Sequence, residues 1–285
     1  MLKINNKRYI LVFGIVGLGL MGGSFAKAVQ KYDISTKIVG YDLSIKHQKE
    51  AIDLNLIDSI CTIDQLKDCD IVILTIPVDA IISFLPNLIG CKDTTTIIDF
   101  GSTKRLIAQN IPKELKLNYI PAHPMTGTEK FGPSAAIDDL YENKTMVLCD
   151  IEKCGKFHKE RSIKIFKKLK MNLVFMDSVE HDIHACYISH LPHVLSFSLA
   201  NTVMSHEDPK HIISLAAGGF KDMSRIAKSS PNMWTDVFRQ NKDNLLDAID
   251  SYEKQLTLIK NMIKDEKYEE VYALIEKANT LHSIL

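Results

Sequence analysis

Residues 9–24, YILVFGIVGLGLMGGS, decide the fold of this 285-residue chain. Residues 9–16 are apolar and rich in β-branched side chains, which is typical of a strand buried on both faces of a sheet. Gly17, Gly19 and Gly22 follow with the spacing G-x-G-x-x-G and lead into a helical pattern. This order predicts a dinucleotide site, where backbone N–H groups and the helix dipole receive a pyrophosphate. The alternative is a tight turn that serves only the fold.

A second strand pattern ends in Asp42, 20 residues after Gly22. A carboxylate at this position binds the ribose 2′-OH and repels the additional phosphate of NADP. Lys46 lies nearby in the sequence, but no arginine does. We therefore expect NAD rather than NADP. The residues expected to bind it are Gly17, Leu18, Gly19, Leu20, Met21, Gly22, Asp42 and Pro77.

Strand and helix patterns alternate through the first half of the chain. Further strands are predicted over residues 70–77, 95–99, 146–149 and 173–176, and helices over 44–54, 78–89 and 155–169. Such alternation predicts an α/β fold with a doubly wound, mostly parallel Rossmann-type sheet, whose ligands bind at the carboxyl ends of the strands. Gly17, Pro77, Ser102 and His123 all follow predicted strand ends.

A short apolar strand ends at His123, within the sequence IPAHPMTGTEKFG of residues 120–132. Pro121 and Pro124 fix φ on both sides of the histidine and so aim its ring. A neutral imidazole at this edge of a sheet is suited to take a proton from a substrate hydroxyl. The alternative is a histidine that only packs within a loop.

Strand patterns stop in the second half, so we divide the chain into a dinucleotide-binding domain over 1–178 and a helical domain over 179–285. In the helical domain we expect a kink at Pro192, a break at 218–220 and a new helix at Pro231. Apolar residues then recur in steps of three, four or seven. These stripes are expected to be mostly core, although two long terminal helices also suit a dimer interface.

Charge and cysteine content restrict the class of protein. Lys+Arg and Asp+Glu both number 35, so the charge gives no argument for a nucleic acid or an anionic membrane as partner. The 6 cysteines show no C-x-x-C spacing and no signal peptide precedes them, which indicates reduced thiols and a cytoplasmic protein. No apolar run approaches the ~20 residues of a membrane span.

Four histidines occur as two i,i+3 pairs: His181 with His184, and His190 with His193. Such pairs can chelate a metal, but no H-E-x-x-H motif is present and Pro192 interrupts the second pair. We therefore expect no metal site, and we expect His181 and His184 to lie on a helix surface.

Several segments together resemble the prephenate dehydrogenase family. They occur in the family's order over nearly the whole chain: the glycine loop, DFGSTK at 99–104, HPMTGTEK at 123–130, SHLPH at 189–193 and GGFKDMSRIA at 218–227. One departure is Ala216-Ala217, where relatives can carry an additional glycine.

The resemblance implies NAD-dependent oxidative decarboxylation of prephenate to 4-hydroxyphenylpyruvate in tyrosine biosynthesis, by a homodimer formed through the helical domain. It makes His123 the proton acceptor, and Ser102 the residue that positions the substrate hydroxyl and the imidazole. Arg225 is then the clamp for a substrate carboxylate, which its planar fork suits. The remaining residues assigned to the substrate are His193, Thr128, Glu129 and Asp222, the last two as an ionic gate with Arg225 or as surface residues.

Three alternatives remain at this point. The first is arogenate dehydrogenase, whose substrate carries an amino acid side chain in place of the keto acid of prephenate. Discrimination between the two substrates needs a group that senses the ammonium, and none can be located in the sequence. The second is a non-catalytic NAD-sensing protein, and the joint presence of Ser102, His123 and Arg225 argues against it. A dehydrogenase of the six-phosphogluconate type uses a lysine-based site, which the HPMTGTE segment does not match.

Overall fold

The computed structural model describes residues 11–34 and 37–284, so Tyr9 and Ile10 of the first predicted strand lie outside the described residues. The strands are β1 (Val12–Val16), β2 (Lys37–Tyr41), β3 (Ser59–Ile60), β4 (Ile71–Leu74), β5 (Thr96–Asp99), β6 (Tyr119–Pro124), β7 (Thr145–Cys149) and β8 (Asn172–Met176). The helices among them are α1 (Leu20–Lys31), α2 (Ile45–Asp53), α3 (Ile63–Lys67), α4 (Val78–Phe84), α5 (Arg105–Gln109) and α6 (Lys156–Lys168).

One sheet of eight strands has the order β3-β2-β1-β4-β5-β6-β7-β8. The six strands from β3 to β6 run parallel, whereas β7 runs antiparallel to β6 and β8 runs parallel to β7. The doubly wound, mostly parallel sheet predicted from the sequence is confirmed. Its order reverses between β1 and β4, which is where such sheets bind ligands.

Helices cover both faces of the sheet, because the central strands are apolar on both sides. Phe13 and Ile15 of β1 enter one hydrophobic core, while Val16 enters the other. In β4, Ile73 and Leu74 divide in the same way. Alternate side chains of a strand point to opposite faces, so a continuous apolar run requires cover on both sides.

From residue 178 to 284 the described chain contains helices joined by short connections and no strand. After α7 (Ser178–Ala185) come a π-helical segment (Cys186–His190), α8 (Leu191–His206), α9 (Pro209–Leu215), α10 (Gly218–Ser224), α11 (Pro231–Gln240), α12 (Lys242–Lys264) and α13 (Tyr268–Asn279). No helix in the described ranges is long and apolar enough to cross a lipid bilayer.

Proline and the capping residues set the helix ends. The π-helical segment lies directly before Pro192, where the kink was predicted, and a proline cannot donate to an i−4 carbonyl. Ser230 caps α11 and Pro231 is its first residue, as predicted. The break predicted at 218–220 is wrong: the chain is extended at Ala216 and Ala217, and Gly218 already begins α10.

The apolar stripes of the last two helices are mostly not core, contrary to the prediction. Leu245 is buried, but Leu256, Ile263 and Ile275 are 53%, 52% and 54% exposed. Helices α12 and α13 pack against each other and leave an apolar face uncovered by the described chain. A periodic stripe shows that a face will be buried, not which partner buries it.

Candidate functional site

The glycine loop joins β1 to α1 in a conformation that only glycine suits. Gly17 has φ +91° and donates its N–H to the Tyr41 carbonyl at 2.8 Å. A Cβ at position 22 would lie 2.0 Å from the Gly17 carbonyl oxygen, so α1 packs too closely on the loop for any side chain. At Gly19 a Cβ would meet nothing within 4 Å, so this part of the loop faces open space. Open backbone at a helix N-terminus fits a pyrophosphate.

Asp42 organises the same loop. Its carboxylate accepts hydrogen bonds from the N–H groups of Leu18 and Ser44, both at 2.8 Å, and His47 Nδ1 lies 3.4 Å away. The side chains of Leu18 and Leu20 are buried in the core, so these two residues offer only their backbone to a ligand. The carboxylate thus lies at the mouth of the loop, where the ribose of a dinucleotide is bound in Rossmann folds.

Ser102 lies in the loop after β5, which a buried ion pair holds. Lys104 Nζ contacts the Asp99 carboxylate, both side chains are 0% exposed, and Nζ also donates to the Ala122 carbonyl at 2.8 Å. Because Asp99 is paired with Pro121 in the neighbouring strand, the loop carrying Ser102 lies beside His123. Within the described chain the Ser102 hydroxyl makes no hydrogen bond, so His123 is positioned by another group.

That group is His181. Its Nε2 lies 2.8 Å from Nδ1 of His123, and the ring centroids are 5.0 Å apart. The expectation that His181 lies on a helix surface is wrong: the side chain is 2% exposed, because the face of α7 that carries it packs against the sheet edge. His184 is exposed, as predicted.

The pKa of His123 is well below the ordinary histidine value. The main cause is burial of the ring, and electrostatic interactions with His181, Lys104 and His190 act in the same direction. The imidazole is therefore neutral at pH 7, which is the state that accepts a proton.

The helical half supplies His193 and Arg225. His193 Nδ1 donates to the Ser189 carbonyl at 2.9 Å, and its ring stacks on Trp234 with centroids 3.6 Å apart. Burial lowers the pKa of His193, and the charge of Arg225 acts in the same direction. The short turn at Arg225–Ala227 packs against α8, which brings the guanidinium into the surroundings of His193.

The remaining predicted residues lie at the surface. Thr128, Asp222 and Pro77 are exposed and Glu129 is partly buried. No ion pair joins Arg225 to Glu129 or Asp222 in the described part of the chain. Nor do the described residues group three His, Cys, Asp or Glu side chains that could hold a metal.

Two residues with a place in the site are not assigned to it by the sequence. Asp182 is fully buried and accepts from the N–H groups of Lys104 and Arg105 at 2.7 and 2.9 Å. Trp234, which is 7% exposed, forms the wall on which the His193 ring stacks. Adjacent His and Asp on a short helix carry no recognisable signal, because their partners are distant in sequence.

Comparison with known proteins identifies relatives over nearly the whole chain. The sequence matches the description "Prephenate dehydrogenase, nucleotide-binding domain" over residues 25–175 and "Prephenate dehydrogenase, dimerization domain" over residues 177–277. Prephenate dehydrogenase of Bacillus subtilis (strain 168) is 33% identical over 271 residues, which cover 93% of this chain and 73% of that protein.

Solved structures agree with these matches. Prephenate dehydrogenase from A. aeolicus in complex with hydroxyphenyl propionate and NAD+ has a TM-score of 0.89 at 32% identity, covering 96% of this chain and 97% of that chain. Synechocystis arogenate dehydrogenase has a TM-score of 0.79 at 25% identity, covering 96% and 99% of the two chains.

Proposed function

Because the chain belongs to the prephenate dehydrogenase family and is an NAD-dependent oxidoreductase, we propose that it converts prephenate to 4-hydroxyphenylpyruvate, CO2 and NADH in tyrosine biosynthesis. Prephenate carries a ring hydroxyl, a ring carboxylate and a pyruvyl side chain. Its oxidation therefore requires a proton acceptor at the hydroxyl, a hydride acceptor at the carbinol carbon and cations for two carboxylates.

One observation carries the proposal. A neutral imidazole, that of His123, lies at the carboxyl edge of the sheet beside the Ser102 loop, with the open glycine loop at the same edge. The sheet order separates β1 from β6 by three strand spacings, which is ~14 Å at the usual separation of strands. The base and the loop are thus separated by about that distance along one edge of the sheet, which suits a dinucleotide at one position and its substrate at the other.

NAD bound at Gly17–Gly22 and Asp42 would supply the hydride acceptor. The protein's own part begins with the substrate hydroxyl, which donates its proton to His123 as the carbinol carbon is oxidised. The resulting ring ketone is conjugated with two ring double bonds, and both are attached to the carbon that bears the carboxylate. Loss of CO2 sends the bonding electrons through the ring to the ketone oxygen and makes the ring aromatic. His123 then returns its proton to the phenolate oxygen.

Arg225 and His193 are proposed to bind substrate carboxylates from the helical side, with Thr128, Glu129 and Asp222 around them. Arg225 has no ion-pair partner among the described residues, so its guanidinium is available to an anion. His193 already uses Nδ1, so it must take up a proton at Nε2 in order to donate to a carboxylate. Ser102 has an unused hydroxyl beside the base and is proposed to orient the substrate hydroxyl.

We also propose that the protein is a cytoplasmic homodimer formed through residues 179–285. The described residues of one chain leave the apolar face of α12 and α13 uncovered, and a second copy would bury it. All of the cysteines are free, which suits a reducing compartment. Light scattering on the purified protein tests the dimer, because a monomer at micromolar concentration would contradict it.

Steady-state kinetics with prephenate and arogenate, each with NAD and NADP, test the proposed reaction. We expect the highest kcat/KM with prephenate and NAD, with one CO2 released per NADH formed. Arogenate is the second candidate substrate, because the Synechocystis relative is an arogenate dehydrogenase. A preference for arogenate would assign the amino acid substrate instead, and no turnover of either compound would refute the proposal.

A further inference from the structure

The proposed base is the first of three buried or partly buried side chains that form a continuous hydrogen-bonded row. His123 Nδ1 lies 2.8 Å from His181 Nε2, and His181 Nδ1 lies 2.8 Å from Asp182 Oδ1. His181 and Asp182 are 2% and 0% exposed. The row therefore runs from the edge of the sheet into α7, without access to water at its inner end.

The ionised carboxylate of Asp182 fixes the direction of the bond that it receives from His181. Its carboxylate accepts from the N–H groups of Lys104 and Arg105, so it is a pure acceptor. His181 Nδ1 must then carry the proton of the next bond. When His181 is neutral, its Nε2 carries a lone pair, and His123 then donates to it from Nδ1. That leaves the lone pair of His123 at Nε2, the nitrogen that faces away from the row.

We propose that His181 and Asp182 are positioning residues that hold His123 in the tautomer with its proton on Nδ1 and its acceptor on Nε2. This inference rests on the proposed function only for its catalytic consequence. When the substrate hydroxyl transfers its proton to Nε2, the imidazolium keeps its Nδ1–H bond to His181, and the negative charge of Asp182 lies behind it. No proton leaves the row, and the one gained by Nε2 returns to the product oxygen.

The other charged groups around the row do not replace this function. Lys104 from the loop after β5 is engaged by Asp99, and His190 from the π-helical segment accepts from Asn241 Nδ2 at 3.1 Å. Burial lowers the pKa of His190 to about 4, so it stays neutral near pH 7. Among the described residues only His181 offers His123 an acceptor, so we assign the selection of the tautomer to His181.

The tautomer is measured directly by ¹⁵N NMR of protein labelled at histidine, since the shift of each ring nitrogen reports whether it is protonated. We expect His123, assigned by the loss of its signals in His123→Asn, to carry its proton on Nδ1 at pH 7.5. A proton on Nε2 in the unmodified protein would overturn the inference. This readout is independent of whether prephenate is the substrate.

Two substitutions of His181 then test the catalytic consequence. His181→Leu removes the acceptor and should lower kcat by about 10–100-fold, the range for orienting partners, with a smaller change in prephenate KM. His181→Gln places an amide oxygen near the former Nε2 and should recover at least about tenfold of that loss. Equal kcat in the Leu variant and the parent would overturn the proposal, as would equal loss in both variants.

His184 provides the matched control on the same helix. It is exposed and its closest charged group is Glu180 at 3.7 Å, so His184→Leu and His184→Gln should leave kcat unchanged. A parent that turns over neither prephenate nor arogenate would refute the proposed function instead, and the NMR result would still decide the tautomer.

Discussion

His123→Asn should remove most of the turnover while leaving the fold intact. Asparagine can place its amide nitrogen near the position of Nδ1, so the hydrogen bond to His181 Nε2, 2.8 Å long in the parent, can be kept. Nothing replaces Nε2, and the proton acceptor is lost. General-base assistance supplies about 10²–10⁴-fold, which corresponds to about 3–5 kcal/mol of the activation barrier. We expect a fall in kcat of that size.

The stability should change little, because one side-chain hydrogen bond is exchanged for a similar one. Such bonds contribute about 1 kcal/mol, so the melting temperature should fall by a few degrees at most for a chain of this size. The prephenate KM should also change little, since binding depends on the carboxylate clamps. Initial rates of NADH formation at saturating NAD, together with thermal unfolding, separate the two effects.

The pH profile gives a second check with a defined sign. The base acts only when it is unprotonated, and its pKa lies well below the ordinary value of 6.5. In the parent, kcat should therefore be flat from pH 8 down to about 6.5 and should fall only at lower pH, as His123 becomes protonated. His123→Asn should lack this acid limb, and the exposed His184→Asn should retain it. A kcat for His123→Asn within threefold of the parent, on the order of 0.7 kcal/mol, would refute the assignment of the base.

Three further results are expected. Asp42→Ser should lower the ratio of kcat/KM for NAD to that for NADP, because the carboxylate no longer repels the additional phosphate of NADP. The substitution also removes the carboxylate that accepts from the Leu18 N–H in the glycine loop. A parent that already uses NADP as efficiently as NAD would contradict this prediction. Arg225→Gln should raise the prephenate KM by about 10–100-fold without lowering the melting temperature, and Arg225→Lys should restore part of the affinity. A lower melting temperature with an unchanged KM would show that the arginine is structural. Lys104→Met should lower the free energy of unfolding, measured in urea, by about 3–5 kcal/mol, because Asp99 is left as an unpaired buried charge. Lys92→Met removes an exposed ion pair and should lower it little. Similar losses in the two variants would contradict this prediction.

The sequence by itself determined the sheet and the dinucleotide loop. Residues 12–16 are apolar throughout, so their strand needs cover on both faces, and Gly17 and Gly22 are required by a positive φ and by close packing. These constraints are local, because each acts over a few consecutive residues and leaves a readable pattern. The position of His123 at a strand end follows from the same local logic, since parallel strands end at a common edge.

Tertiary structure alone decided three features: the short strand β3, the antiparallel direction of β7 and the burial of His181. His181 and Asp182 follow an ordinary helix N-cap, so the local sequence gives no sign of a site. Their contacts are with His123 and Lys104, which lie 58 and 78 positions earlier in the chain. The stripes of α12 and α13 pose the same difficulty, because periodicity cannot distinguish cover by the same chain from cover by a second copy. Local patterns are set by backbone geometry and by the cost of exposing apolar surface. Which distant group meets a given face depends on how the whole chain packs.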